Sequence, residues 1–163
     1  MIEIRTCSSN ETVDAGLALG KILKKGDIVC LGGDLGVGKT AFTSGIAEAL
    51  GIKGYITSPT FTIVNEYKAK IPLYHFDVYR ISYSDEMFEI GFEEYVEGGG
   101  VVVIEWANRI KDILPPSYIW VEIKKDLSQG QDLRTIVIDF KGNRYSEYEE
   151  RMREVYSYED TCR

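Results

Sequence analysis

The stretch GGDLGVGKT, Gly32 to Thr40, constrains the fold more than any other part of the chain. The apolar run Ile28-Val29-Cys30-Leu31 leads straight into it. Phe42, Ile46, Ala47, Ala49 and Leu50 follow at helical spacing until Gly51 stops the pattern. A near-continuous apolar strand of this kind is expected in a parallel sheet covered on both faces. Gly33-x4-Gly38-Lys39-Thr40 fills the Walker A pattern in full. Glycines are needed because side chains would hold the backbone away from phosphate oxygens. The lysine of such a loop reaches the β- and γ-phosphates, the threonine hydroxyl ligates Mg²⁺, and the helix N-terminus adds partial positive charge. The pattern therefore predicts a phosphate cradle built from Asp34, Leu35, Gly36, Val37, Gly38, Lys39, Thr40 and Ala41.

The remaining sequence reads as one α/β domain of the P-loop NTPase type, with a mainly parallel central sheet flanked by helices and some antiparallel edge strands. Ile2, Ile4 and Thr6 alternate with Glu3 and Arg5 as a short strand, and Ser8-x-x-Glu11 is a capping box opening a helix that should run to about Lys25, with Gly26 as its stop. Asp27 to Leu31 is the buried strand before the glycine loop, and Lys39 to Leu50 the helix after it. Tyr55 to Tyr67 and Leu73 to Tyr79, rich in β-branched and aromatic residues, predict an antiparallel excursion. Asp85 to Val96 predicts one or two short helices broken at Gly91. Val101 to Glu105 is the most strand-like run and should lie centrally. Ile119 to Ile123 and Arg134 to Phe140 give two final strands joined by the polar loop Asp126 to Asp132. Residues 1–142 form the expected domain. Residues 143–163 form a tail, and its Asn143 to Tyr156 stretch reads as a solvated amphipathic helix or a frayed end.

Composition narrows the function. A chain of 163 residues is one domain's length, and 44% hydrophobic with 28% charged residues is ordinary for a globular protein. No apolar run approaches the roughly 20 residues of a membrane span, and the N-terminus lacks a basic-then-apolar signal, so a cytoplasmic protein is expected. Cys7, Cys30 and Cys162 are odd in number and scattered without CxxC spacing, which predicts reduced thiols and no zinc site. A net charge of −7, from 19 basic and 26 acidic residues, opposes a nucleic-acid platform. Any RNA would be carried by a partner.

Phosphoryl chemistry also needs a carboxylate for Mg²⁺ or for the attacking water, usually at the end of a neighbouring apolar strand. Glu105 ends Val101 to Ile104, and Asp77 ends Tyr74-His75-Phe76. Elementary physics does not separate their roles.

GDLGVGKT at 33–40, SPTF at 58–61, YHFDVYR at 74–80 and IEW at 104–106, in this order, closely resemble the TsaE (YjeE) family of bacterial P-loop ATPases. The likeness spans roughly residues 5–140. It implies participation in the N6-threonylcarbamoyladenosine modification of tRNA, with ATP and Mg²⁺ as cofactors and the TsaB and TsaD proteins as partners. Contact with tRNA would come only through that complex. By position, Lys39 resembles the family's phosphate-binding lysine, Thr40 its magnesium-ligating hydroxyl and Glu105 its Walker B-like acid. Asp77 matches the acid of the HFDxYR motif and Trp106 the tryptophan beside the nucleotide; simple packing would also account for Trp106. Ser9, before the first helix, and Gly130, in the last hairpin, lie where the family approaches the nucleotide's base end. The chain departs from the family at Ala107, where proline is common, and in its longer tail.

Thr60 is a candidate sensor of a γ-phosphate, and a turn fixed by Pro59 is the alternative. His75 reads as structural or catalytic, and Arg80 as paired with an acid, with phosphate or with a partner. A small-molecule kinase would carry an arginine-rich lid, yet Arg109 stands alone between Trp106 and Ile119, and no NKxD segment points to guanine. A non-catalytic nucleotide sensor is the rival from another class.

Overall fold

The computed structural model describes residues 1–130 and 132–156. Seven strands form one sheet: β1 (Ile2–Thr6), β2 (Ile28–Gly32), β3 (Val64–Tyr67), β4 (Leu73–Asp77), β5 (Val101–Glu105), β6 (Tyr118–Lys125) and β7 (Arg134–Lys141). Their spatial order is β1-β7-β6-β2-β5-β4-β3. The inner strands β6, β2, β5 and β4 run parallel, and β7, β1 and β3 add antiparallel edges. β2 and β5 are buried at every residue, as continuous apolar runs at the middle of a two-sided sheet require, whereas β1 alternates buried and exposed positions at an edge.

Helices α1 (Ser9–Ile22) and α2 (Lys39–Ala49) cover one face, burying Ala15, Leu19, Phe42 and Ile46 against β2 and its neighbours. The other face is covered by α3 (Glu86–Glu89), α4 (Phe92–Val96) and a 3-10 helix over Ala107–Ile113, around Phe76, Met87, Phe92 and Ile110. The break between α3 and α4 falls at Gly91, whose φ is +79°. Ser8 caps α1 by accepting the Glu11 amide, and Glu11 reaches back to the amide of Cys7.

Several expectations are corrected. α1 ends at Ile22, short of Lys25, because Leu23 turns extended and the buried Asp27 carboxylate takes the Lys24 amide at 2.7 Å. Of the strand expected over Tyr55 to Tyr67 only Val64–Tyr67 pairs; before it, Pro59 has no amide to donate and Ile63 sits at φ +69°. The segment after Gly142 is not a solvated helix. A 3-10 turn at Asn143–Tyr145 and α5 (Tyr148–Val155) bury Tyr145, Tyr148 and Met152 in the main core. Asp27 anchors this segment by accepting from Tyr148 Oη at 2.8 Å and Arg144 Nε at 2.9 Å. Cys30 is free and buried, as expected. Cys7 is disulfide-bonded, contrary to the expected thiol, since spacing along a chain does not limit proximity across it. Cys162 lies outside the described residues. Among the described residues no helix is long and apolar enough to cross a membrane.

Candidate functional site

The glycine loop leaves the C-terminal end of β2, at the centre of the sheet, and enters α2 at Lys39. Its backbone takes conformations that side chains resist: Gly33, Gly36 and Gly38 have φ of +133°, +74° and +114°. A Cβ on Gly33 would also stand 2.4 Å from the Ile123 carbonyl oxygen, so β6 presses the loop from behind.

The register brings the two acids side by side. Asp77 and Glu105 are paired positions at the ends of β4 and β5, and Glu105 pairs in turn with Leu31 just before the loop. A cleft of about 300 Å³ opens here, lined by Leu35, Gly36, Gly38, Lys39, Thr40, Ala41, Asp77, Glu105 and Trp106, together with Ser58 and Thr60. Thr40 Oγ1 donates to Glu105 Oε1 at 3.2 Å. The Lys39 ammonium donates to the carbonyls of Gly33 and Asp34 at 2.6 and 2.8 Å and lies 4.0 Å from the centre of the Trp106 ring. Burial holds its pKa below the ordinary lysine value, opposed by the charges of Glu105, Asp77, Asp34 and Glu122.

Asp77 is held from two sides. Tyr79 N donates to its Oδ1 at 3.0 Å, while Ser58 Oγ donates to its Oδ2, with Thr60 Oγ1 at 3.5 Å from the same oxygen. Trp106, at φ +63°, turns the chain out of β5 and packs its ring 4.8 Å from that of Tyr79. Ala107 follows fully buried, opening the 3-10 helix. Arg80 stacks on the exposed Phe61 ring at 4.3 Å.

Not every expected site residue lines the cleft. Val37 points into the core at 3% exposure, and Asp34 borders a second cleft with Val37, Glu122 and Lys124. Ser9 is exposed at the start of α1, and Gly130 is exposed in the β6–β7 connection. The groups that do meet the loop there are Thr12, whose methyl would lie 3.4 Å from a Cβ on Gly38, and Arg134, whose Nε donates to the Val37 carbonyl at 2.9 Å. Three residues without an individual sequence signal also meet the site: Arg134, Ser58 and Tyr79. Arg134 carried no local signal, since its partner lies 97 residues away. Ser58 lies in the SPTF motif, and only its spatial relation to Asp77 distinguishes it from Thr60.

The cleft suits a hydrated Mg²⁺ held through phosphates. Mg²⁺ keeps several waters and is usually bound by one or two protein oxygens plus substrate phosphates. Thr40 Oγ1 and Glu105 Oε1 supply such hard oxygens side by side. Among the described residues no group of three or more His, Cys, Asp or Glu could hold a metal ion alone.

A mixed sheet whose parallel core has a central strand running into a Walker A loop, with acids ending the two neighbouring strands on one side, defines an α/β domain of the P-loop NTPase type. The chain belongs to the TsaE family: the family described as "Threonylcarbamoyl adenosine biosynthesis protein TsaE" matches residues 6–135. It is 44% identical to the Bacillus subtilis protein named tRNA threonylcarbamoyladenosine biosynthesis protein TsaE over 142 residues, 86% of this chain and 87% of that one. The Treponema pallidum protein of the same name is 42% identical over 117 residues, 72% of this chain and 87% of its own length. The crystal structure of YdiB from Bacillus subtilis superimposes with a TM-score of 0.80 at 38% identity, covering 94% of each chain.

Proposed function

We propose that this protein is a Mg²⁺-dependent ATPase of tRNA N6-threonylcarbamoyladenosine biosynthesis, acting in the cytoplasm with TsaB and TsaD and meeting tRNA only through that complex. The names of its relatives support the process. One observation carries the activity: Lys39, Thr40, Glu105 and Asp77 converge on one cleft, with Thr40 Oγ1 3.2 Å from Glu105 Oε1.

In this reading the loop amides and Lys39 bind the β- and γ-phosphates of ATP. Thr40 and Glu105 would hold Mg²⁺, which when bound neutralises charge on the phosphates and orients them. Asp77 orients the attacking water through its carboxylate, whose direction Tyr79 N and Ser58 Oγ set. Trp106 walls the cleft and limits water around the Lys39 ammonium. Catalysis of this kind is mostly positioning and charge stabilisation, so turnover is slow until a partner completes the site.

The test is ATP hydrolysis by the purified protein, alone and with the TsaB and TsaD proteins of its own organism, beside a Lys39→Ala control. Lysine-dependent turnover that rises with the partners is expected; absence of turnover in both settings, with nucleotide bound, overturns the ATPase reading. A second reading, an ATP-dependent sensor that docks without hydrolysis, is favoured by the contacts of one loop. The loop 58–61 reaches the cleft through Ser58 and Thr60 on Asp77, so its order is tied to what the cleft holds. Asp77→Ala discriminates: loss of turnover with tRNA modification intact supports the sensor.

A further inference from the structure

We propose that His75 is a positioning residue for Glu105, fixing the carboxylate so that its other oxygen is presented beside Thr40. This rests on the reading of Glu105 as a Mg²⁺ ligand. On β4 and β5 the side chains of Leu73, His75 and Asp77, and of Val101, Val103 and Glu105, alternate onto one face. His75 is paired with Val103, one step below the Asp77 and Glu105 pair. From there its Nε2 lies 2.6 Å from Glu105 Oε2, with the two side chains 0% and 4% exposed. Thr40 Oγ1 lies against both carboxylate oxygens, 3.2 Å from Oε1 and 3.4 Å from Oε2, and Oε1, the nearer, is the one that His75 leaves free.

The remaining ring nitrogen assigns the proton. His75 Nδ1 is buried and has no hydrogen-bond partner among the described residues. An N–H there would be a buried donor without an acceptor, an arrangement folded proteins avoid. The Nε2 contact, in contrast, needs a hydrogen between nitrogen and oxygen. The ring proton therefore sits on Nε2 and is donated to Glu105. A residue that only filled this part of the core would carry no polar edge, so the orphaned Nδ1 is the cost of placing Nε2. The consequence is geometric. A glutamate at a strand end has three side-chain torsions to fix, and a bond to one oxygen sets the plane of the carboxylate. Partners of this outer kind are worth roughly 10–100-fold in metal affinity or activity at known metal sites.

The chain's single histidine makes the test direct. Binding of a fluorescent ATP analogue is titrated with Mg²⁺ and in EDTA for the wild type, Glu105→Gln, His75→Leu and His75→Gln. In His75→Gln the amide nitrogen occupies about the place of Nε2. Expected are a Mg²⁺-dependent tightening that Glu105→Gln abolishes, a requirement for roughly 10–100-fold more Mg²⁺ in His75→Leu with EDTA binding unchanged, and recovery to within a few-fold in His75→Gln. Nitrogen-15 NMR of the labelled histidine should report a proton on Nε2 and none on Nδ1, with both signals moving when Mg²⁺ and nucleotide are added. If Glu105→Gln abolishes the Mg²⁺ effect and His75→Leu leaves it intact, His75 has no positioning role. If Glu105→Gln also leaves it intact, the ligand assignment falls first and this inference with it. Should His75→Leu not fold, a proton on Nδ1 in the wild type, or no recovery in His75→Gln, overturns the proposal.

Discussion

Replacing Gly16 by alanine tests how the phosphate loop is held to the rest of the domain. α1 and α2 meet through glycines. A Cβ at Gly16 would stand 2.0 Å from the Phe42 carbonyl oxygen, and one at Gly45 would stand 2.0 Å from that of Val13. Both obstacles are backbone, so no side-chain rotation relieves them. Restoring ordinary contact at about 3.5 Å requires the helices to part by roughly 1.5 Å. Such a gap forfeits more than half of the attraction across the seam, where Leu19, Phe42 and Ile46 are fully buried. Overpacking of this kind costs up to about 3 kcal/mol, while alanine's better helix propensity returns about 1 kcal/mol. The net loss is about 2 kcal/mol, or a fall in Tm of roughly 4–8 °C for a domain of this size. Thermal unfolding followed by circular dichroism measures it. A Tm equal to or above the wild type would mean that propensity alone governs Gly16 and would refute the close-packing argument. Because α2 begins at Lys39, weaker binding of a fluorescent ATP analogue should accompany the loss.

Three further outcomes are expected. Asp27→Asn should destabilise the fold by about 2 kcal/mol in urea titrations with the slope unchanged, since it weakens bonds from Lys24 N, Arg144 and Tyr148 to a buried carboxylate; a change under about 0.5 kcal/mol would sever α5 from this anchor. Burial pushes the Tyr145 phenol from 10.0 up to about 12. The fold thus favours the protonated phenol: its contribution is complete below pH 10 and is lost as pH climbs to about 12, so unfolding measured across that window should show a decline that Tyr145→Phe makes shallower. Ser58→Ala should lower ATP turnover by about tenfold and more than Thr60→Ala does, because Ser58 makes the closer contact to Asp77; the reverse order would move the sensing role back to Thr60.

Much of this was legible along the chain, because the signals are short-range. The apolar run of β2, the glycines of the loop and the apolar spacing of α2 each report a local energetic preference, and together they place Lys39 and Thr40 without knowledge of any neighbour. Gly91 between two short helices and Ser8 before α1 are of the same kind. The ends of β4 and β5 nominated Asp77 and Glu105 as acids.

Which groups meet was decided elsewhere. Strand order came from burying two faces of one sheet at once, a sum over the whole chain, and only that order sets Asp77 beside Glu105 and His75 beneath both. The Tyr-rich tail looked solvated because its acids and arginines dominate locally, yet Asp27, over a hundred residues earlier, turns its tyrosines inward. Local preference sets conformation residue by residue; contacts between distant residues form only when the backbone has already been brought together, and there the polar partners of Glu105 and Asp77 were chosen.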